Sequence, residues 1–317
     1  MTILVTGASG YVGNNLVKRL VQAGKPVRAM VRDVEKANRR LGSLGGQVEL
    51  VQGDVLNRES LRPLMQGVNT VVHLVAIAIE KGGQTYEEVN YQGTVNVVDM
   101  ANEASVPRFI NMSQNGADSS LPYRFLKSKG RAQEYVAGYA ANWTALRPSA
   151  IFGPQDEFFN SLARMVQITP LIFPLIGGGK AEFQPVSVYD VVEAAARSLD
   201  DDSTIGKELA LGGPEVLTMG EIERRVLQAL NARRALVPVS VGLLRAPVFV
   251  MEKLLPGSPV TTSLLELLGV KNTVPDNALI SHFGMQPKAF SGENIAYLRD
   301  NHPGQTLRLF LTGKATN

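Results

Sequence analysis

Val5-Thr6-Gly7-Ala8-Ser9-Gly10-Tyr11-Val12-Gly13 sets three glycines at GxxGxxG spacing, directly after the short apolar run Ile3–Val5. The next residues, through Ala23, have helical spacing, with Val12, Leu16, Leu20 and Val21 on one face, and Gly24 ends the run. Each glycine has a physical task. Gly7 allows a tight turn after the strand, Gly10 lets the backbone approach a diphosphate, and Gly13 lets the helix pack close to the sheet. Amides at the start of the helix then face the phosphate charge. Such a triplet alone is a weak signal, but here it follows a strand and begins a helix, which is the context the chemistry needs. The stretch predicts a dinucleotide site built from Gly7, Ser9, Gly10, Tyr11, Val12 and Gly13.

Working outward, strand and helix signals alternate. Apolar strands are expected at Ile3–Val5, Val27–Val31, Val48–Gln52, Thr70–Leu74, Arg108–Met112 and Thr144–Arg147. Between them, helices are expected at Val34–Leu44, Arg58–Met65, Val89–Glu103 and Pro122–Ala140. Strands separated by helices mean a parallel sheet with right-handed crossovers, and strands without polar alternation mean that both faces of the sheet are covered. The fold class is therefore α/β, a doubly wound parallel sheet of the Rossmann type. Beyond about residue 150 the alternation loosens, and glycine and proline cluster at Gly153-Pro154, Gly177-Gly178-Gly179, Gly212-Gly213-Pro214 and Pro256-Gly257. Residues 1–150 are expected to form the dinucleotide-binding domain, with residues 183–215 returning to it. Residues 151–317 form a smaller C-terminal lobe. There, Gly206–Thr218 reads as a strand and Glu221–Leu230 as a helix.

Composition narrows the chemistry. The 317 residues are 44% hydrophobic and 19% charged, an ordinary globular balance. A net charge of +3 is too mild to argue for nucleic acid. Cysteine is absent, so disulfides and thiolate catalysis are excluded. His73, His282 and His302 are too scattered for ligand spacing, and no metal site is expected. The opening residues read as a strand rather than a signal peptide, and no apolar run is long enough to span a membrane, which points to a cytoplasmic protein.

The end of the second strand selects the cofactor. NAD binders usually offer an acidic residue there to the adenosine ribose. This chain has Val31-Arg32-Asp33. Arg32 can pair with a 2′-phosphate through its planar fork, which favours NADP(H), while Asp33 leaves NAD(H) open. Asp54, followed by Val55, sits where a carboxylate can accept from the adenine amino group. It reads equally well as a turn residue.

At this point the sequence resembles a known family, the extended and atypical short-chain dehydrogenase/reductases. The resemblance covers about the first 215 residues. It rests on TGASGYVG (Thr6–Gly13), GDV (Gly53–Val55), VNYQGTVNVVDMA (Val89–Ala101), LRPSAIFGP (Leu146–Pro154) and FQPVSVYDVV (Phe183–Val192). SKGRAQEYV (Ser128–Val136), RPSAIFGPQDEFFN (Arg147–Asn160) and LGGPEVLTMGEI (Leu211–Ile222) are similar to the branch containing the nucleotide-binding accessory subunit of respiratory complex I and its bacterial relatives. The resemblance implies that Leu74, Val75 and Ala76 line the cofactor and that Asn90 braces the helix carrying the catalytic-type lysine. It implies that Ser113 orients a substrate and that residues from Pro148 to Ile151 contact the nicotinamide side. A respiratory or quinone-related assembly is the partner it implies.

Catalytic members of this superfamily use Tyr-x-x-x-Lys at the start of a helix. Two registers compete. Tyr123 and Lys127 match literally, whereas Phe125 and Lys129 have the spacing without the hydroxyl. Phe125, Lys129, Ala132, Val136 and Ala140 form a stripe that is apolar apart from its lysine, and Lys127, Arg131, Glu134 and Gly138 form one suited to solvent. The stripes favour Lys129 as the inward lysine, with Phe125 where the acid–base hydroxyl would stand. Hydride transfer is then expected to be weak or absent. The alternative is an active reductase, epimerase or dehydratase using Tyr123 or Ser113 on a small hydroxylated or carbonyl substrate. In the C-terminal lobe, Leu236–Leu255 is highly apolar and broken by Pro238 and Pro247. It reads as lobe core, or else as a surface for a protein partner or a membrane.

Overall fold

The computed structural model describes residues 2–243, 248–250, 265, 268–304, 306 and 308. In chain order its strands are β1 (Thr2–Thr6), β2 (Val27–Val31), β3 (Val48–Gln52), β4 (Val68–His73), β5 (Arg108–Met112), β6 (Trp143–Pro148), β7 (Ile151–Phe152), β8 (Ile172–Ile176), β9 (Glu182–Phe183), β10 (Val186–Ser187), β11 (Lys207–Leu211), β12 (Leu217–Thr218) and β13 (Ala235–Val239). The helices used below are α1 (Tyr11–Gln22), α2 (Val34–Leu41), α3 (Arg58–Leu61), α4 (Gly93–Glu103), α5 (Arg124–Tyr139), α6 (Phe158–Ile168), α7 (Val188–Arg197) and α8 (Met219–Ala229).

The chain divides into two compact units. The first contains Met1–Pro148, Val188–Leu211 and Asp276–Met285. Its seven-stranded sheet runs β11-β6-β5-β4-β1-β2-β3, with every neighbouring pair parallel. The order reverses around β1, so the glycine turn after β1 opens at the crevice where such folds bind ligands. Leu4, Met30, Val71, Val97, Val98, Phe109 and Val136 belong to one buried cluster joining β1, β2, β4, β5, α4 and α5. Asp276–Met285 returns to this unit without adding a strand. His282 pairs with Asp201 at 2.9 Å, and Arg197 donates to the Phe283 carbonyl at 2.8 Å.

The second unit comprises Ser149–Ser187, Gly212–Pro275 and Gln286–Asn317. Among the described residues it has three two-stranded sheets, β10-β7, β12-β9 and β13-β8. Its core is a phenylalanine cluster: Phe290 packs edge-on against Phe152 at 5.2 Å and tilted against Phe159 at 4.4 Å between ring centroids. Asp156 ties loop to helix by accepting from the Phe159 amide at 2.7 Å and the Tyr297 hydroxyl at 2.6 Å, and burial raises its pKa to about 6.

Several expected elements are shorter than their sequence patterns. The helix from Val34 ends at Leu41, because Gly42 and the left-handed Gly45 (φ 60°) carry the chain into a tighter turn. Arg58–Met65 is split, and its second half is a tight turn starting beside Pro63, which has no amide hydrogen to continue the helix. The expected Val89–Glu103 helix begins with a wide turn at Glu87–Gln92. Gly206–Thr218 is not one strand. The Gly212-Gly213-Pro214 corner divides it into β11 and β12, in different units. Of the apolar stretch Leu236–Leu255, residues 244–247 and 251–255 lie outside the described residues.

Candidate functional site

The glycine turn is close-packed in a way that only glycine permits. Gly7 sits at φ 70°. A Cβ at Gly13 would stand 2.1 Å from the Gly7 carbonyl oxygen and 2.9 Å from Ala8 Cα, so α1 lies directly on the loop. Gly10 is the N-cap of α1 and supplies no capping side chain, and the first helical turn has no acidic residue. The amides of Tyr11, Val12 and Gly13 precede the first intrahelical bond, Asn14 N–H to the Gly10 carbonyl at 2.9 Å. Such amides, with the helix dipole behind them, suit an anion. Val75 and the Leu74 backbone come within 3.2–3.3 Å of where a Gly7 Cβ would be, so the end of β4 forms the neighbouring wall. Ala76 is exposed beside it.

Beneath this loop runs a hydrogen-bond chain whose only sign in the sequence is the lone His73 among the apolar residues of Val71–Leu74. Thr6 Oγ1 lies 2.8 Å from His73 Nδ1 and accepts from the Leu74 amide at 3.3 Å. His73 Nε2 lies 3.0 Å from Thr94 Oγ1, which donates to the Asn90 carbonyl at 2.7 Å. With that proton committed to Asn90, Thr94 accepts from His73, so the imidazole carries its hydrogen on Nε2 and receives the Thr6 hydroxyl at Nδ1. Burial, helped by the positive charge of Lys129, pushes the His73 pKa down to about 3. The Asn90 side chain bonds both the amide and the carbonyl of Ile77, at 2.8 and 3.1 Å, and donates to Ser128 Oγ at 3.2 Å. Thr6, β4, α4 and α5 are thus held in one register.

In α5, Lys127 is exposed and Lys129 is buried. Lys129 Nζ donates to the Met112 carbonyl at 2.7 Å, and burial lowers its pKa to about 8. Phe125 is buried too, edge-on to Tyr86 at 5.5 Å between centroids. Tyr123 is half-buried at the N-cap of the helix. Ser113 donates its amide to the Leu146 carbonyl at 2.8 Å, while its Oγ is buried and has no partner among the described residues. Pro148 closes β6 and accepts from the Asn115 amide at 2.9 Å. Ile151 belongs to the second unit, where β7 pairs it with Val186.

At the end of β2, Arg32 is exposed. Asp33 caps α2 by accepting from the Lys36 amide at 2.8 Å. Asp54 accepts from the Leu56 amide at 3.0 Å, forming a turn, and Val55 beside it is buried. The sequence did not point to Arg40. Its Nη1 donates to the Ser9 carbonyl at 2.7 Å, bringing a guanidinium to the glycine loop. That contact depends on how α2 lies, for which no local pattern exists. These residues fit a dinucleotide: a glycine cradle closed to any Cβ, the first-turn amides of a helix, an orphaned hydroxyl at Ser113 and a buried ammonium at Lys129.

Comparison with known proteins gives the same reading. A family model described as NAD(P)H-binding matches residues 7–161. The chain is 30% identical over 308 residues to the mitochondrial NADH dehydrogenase (ubiquinone) 1 alpha subcomplex subunit 9 of Arabidopsis thaliana, covering 93% of this chain and 76% of that protein. The chain belongs to the extended and atypical short-chain dehydrogenase/reductase family. Within that family it is also 28% identical over 308 residues to the 3 beta-hydroxysteroid dehydrogenase/Delta 5-->4-isomerase of Mycobacterium tuberculosis, covering 87% of this chain and 82% of that one. In fold, this short-chain dehydrogenase/reductase is similar to a nucleoside-diphosphate-sugar epimerase from Staphylococcus aureus, with a TM-score of 0.74 at 19% identity, covering 94% of this chain and 100% of that one. The chain carries an NAD(P)H-binding domain on a Rossmann sheet.

Proposed function

We propose that this protein binds NADP(H) in preference to NAD(H) and retains it chiefly as a structural or sensing ligand, with hydride transfer weak or absent. The observation that carries the proposal is the pairing of a buried Lys129 with a buried Phe125 one turn earlier. A lysine at this place holds the cofactor's ribose, while phenylalanine has no proton to exchange with a substrate oxygen. Gly7, Ser9, Gly10, Tyr11, Val12 and Gly13 would hold the diphosphate. Leu74, Val75 and Ala76 would line the cofactor, with Asn90 bracing the helix that carries Lys129 and Pro148 toward the nicotinamide. Asp54 and Val55 would face the adenine. The cofactor, when bound, supplies a hydride; the chain's own groups bind and orient it.

Preference for NADP(H) is supported by two guanidiniums, Arg32 and Arg40, near the start of α2 and the glycine loop. Asp33, the residue that would serve NAD(H), has a carboxylate oxygen committed to capping α2. Kinship to a complex I subunit supports docking on a respiratory or quinone-related assembly, from the cytoplasm and peripheral to a membrane. Among the described residues no helix is long and apolar enough to cross one.

A second reading, an active reductase, epimerase or dehydratase, is favoured by the unpartnered Ser113 Oγ, which could orient or protonate a carbonyl oxygen. Stopped-flow mixing of the NADPH-loaded protein with quinones and sugar nucleotides separates the two. The proposal expects tight NADPH binding, weakened by Lys129→Ala, and no oxidation. Turnover abolished by Tyr123→Phe or Ser113→Ala would establish the enzyme reading.

A further inference from the structure

The second unit contains a cavity of ≈ 490 Å³ at the C-terminal ends of α6 and α8, lined by Val166, Gln167, Leu230, Asn231, Arg233 and Arg234 among others. Asn231, in the left-handed region at φ 50°, reverses the chain after α8 and delivers the two arginines to it. Arg234 is anchored, donating from Nε to the Thr169 carbonyl at 2.5 Å and from Nη1 to the Arg233 carbonyl at 2.9 Å. Among the described residues neither arginine has a carboxylate partner. Arg299 adds a third guanidinium nearby, donating to the Ala229 carbonyl at 2.9 Å. A concave site with uncompensated guanidiniums suits a phosphate-bearing anion.

The surroundings show what carries that phosphate. Ile168 directly follows Gln167. Leu171 accepts the Ala235 amide at 3.0 Å, and β8 and β13 pair in parallel with Ile172 opposite Ala235. Around the arginines there are therefore apolar side chains in water: Leu171 is 77% exposed, Ile172 60%, Ile168 44% and Val237 42%. A soluble phosphate would make no use of them. Leu171 and Ile172, more than half exposed, stand in solvent rather than closing over a pocket. Protruding aliphatics beside arginines are how a peripheral protein meets an anionic bilayer, with side chains at the acyl boundary and guanidiniums on the headgroups.

We infer that this surface binds an anionic phospholipid, its phosphate held by Arg233 and Arg234 and its glycerol–acyl region covered by Leu171, Ile172, Ile168 and Val237. The inference is independent of the dinucleotide reading, because all these residues lie in the second unit.

The test is co-sedimentation of the full chain with vesicles of phosphatidylcholine alone, or of phosphatidylcholine and phosphatidylglycerol in equal parts, with NADPH titration of every variant alongside. The expected result is binding to the mixed vesicles only, weakened by salt. Arg233→Gln is expected to weaken it about fivefold, and Arg233→Gln with Arg234→Gln roughly 25-fold. Leu171→Ser also weakens it, and NADPH affinity is unchanged throughout. Arg233 makes no side-chain bond to a neighbour among the described residues, so its variant keeps the test valid if the double variant fails to fold. Equal binding to both vesicle types, wild-type binding by Arg233→Gln, or no vesicle binding at all would overturn the inference. So would thermal stabilisation by glycerol 3-phosphate, lost in Arg233→Gln, without vesicle binding; that would assign a soluble phosphate.

Discussion

Lys129 Nζ donates to the carbonyl oxygen of Met112 at 2.7 Å, which sets a buried ammonium beside the residue preceding Ser113, the one with the orphaned hydroxyl. Holding that charge out of water costs stability. The Lys129 pKa falls from 10.5 to about 8, so at neutral pH the folded state carries a charge it disfavours. For a lowered lysine the penalty is present below about pH 8 and disappears as pH rises toward the unfolded value. Replacement by methionine removes the penalty and loses one hydrogen bond, so Lys129→Met is expected to be more stable by about 1–2 kcal/mol at pH 7. The same variant should bind NADPH about tenfold more weakly. In the wild type, affinity should decline as pH passes about 8, and in the variant it should not. Urea melts and fluorescence titration across that range measure both.

His73 predicts a different pH signature. Its pKa falls from 6.5 in the unfolded chain to about 3 in the fold. A group lowered in this way gives stability that is complete above pH 6.5 and lost as pH falls toward 3. Each pH unit in that interval costs about 1.4 kcal/mol. The melting temperature should therefore begin to fall below pH 6.5. His73→Gln, with no titrating ring, should lose the pH slope between 5 and 6.5 while starting from a lower plateau. An unchanged slope in that variant would locate the titrating group elsewhere.

How much of this was legible in the sequence depended on the range of the interaction. GxxGxxG with a strand before it and a helix after it announced a local turn, and the local turn is there. The Lys127/Lys129 choice was also legible, because helical periodicity alone sorts the two onto opposite stripes. Arg40 meeting Ser9, and Thr6 meeting His73 and Thr94, were not legible, because each joins elements whose relative placement no short pattern encodes. Asp33 lay between these cases. Its place before Val34 permitted a cap, yet the same carboxylate at the end of β2 permitted a ribose contact. The return of Asp276–Met285 to the first unit left no sequence sign, since it is held by single contacts such as Arg197 to the Phe283 carbonyl rather than by a periodic face.

Gly13→Ala tests the cradle itself. With 2.1 Å between a new Cβ and the Gly7 carbonyl oxygen, α1 must move off the loop. Overpacking of this kind costs about 1–3 kcal/mol, and NADPH affinity should fall with it. Gly10→Ala meets the same oxygen at 3.1 Å, a contact that a small shift can relieve, so its effect on stability should be smaller. Gly10→Glu should fold yet bind poorly, because a carboxylate would stand where the diphosphate belongs. Calorimetry of the three, with and without NADPH, gives the ranking.

Cofactor choice is tested by Arg32→Ala and Arg40→Ala. Loss of a charge-assisted pair to a 2′-phosphate should cost NADPH about 1.5–3 kcal/mol of binding, roughly tenfold or more, and leave NADH nearly unchanged. Arg40→Ala should also weaken NADH slightly, because its bond to the Ser9 carbonyl orders the loop that both cofactors share. Equal losses for both dinucleotides in Arg32→Ala would remove the case for NADP(H).

Phe125→Tyr tests whether the missing hydroxyl is what limits chemistry. Phe125 is buried against Tyr86, so an added phenolic oxygen must find a partner or cost about 1–3 kcal/mol. Positioned general acid catalysis contributes about 10²–10⁴-fold, so NADPH oxidation by a reactive quinone in single-turnover mixing should rise by a measurable part of that range. Tyr123→Phe, at the helix N-cap, should leave the same rate where it was. If Phe125→Tyr folds, binds NADPH and gains nothing, the absent proton donor does not decide whether this protein transfers hydride.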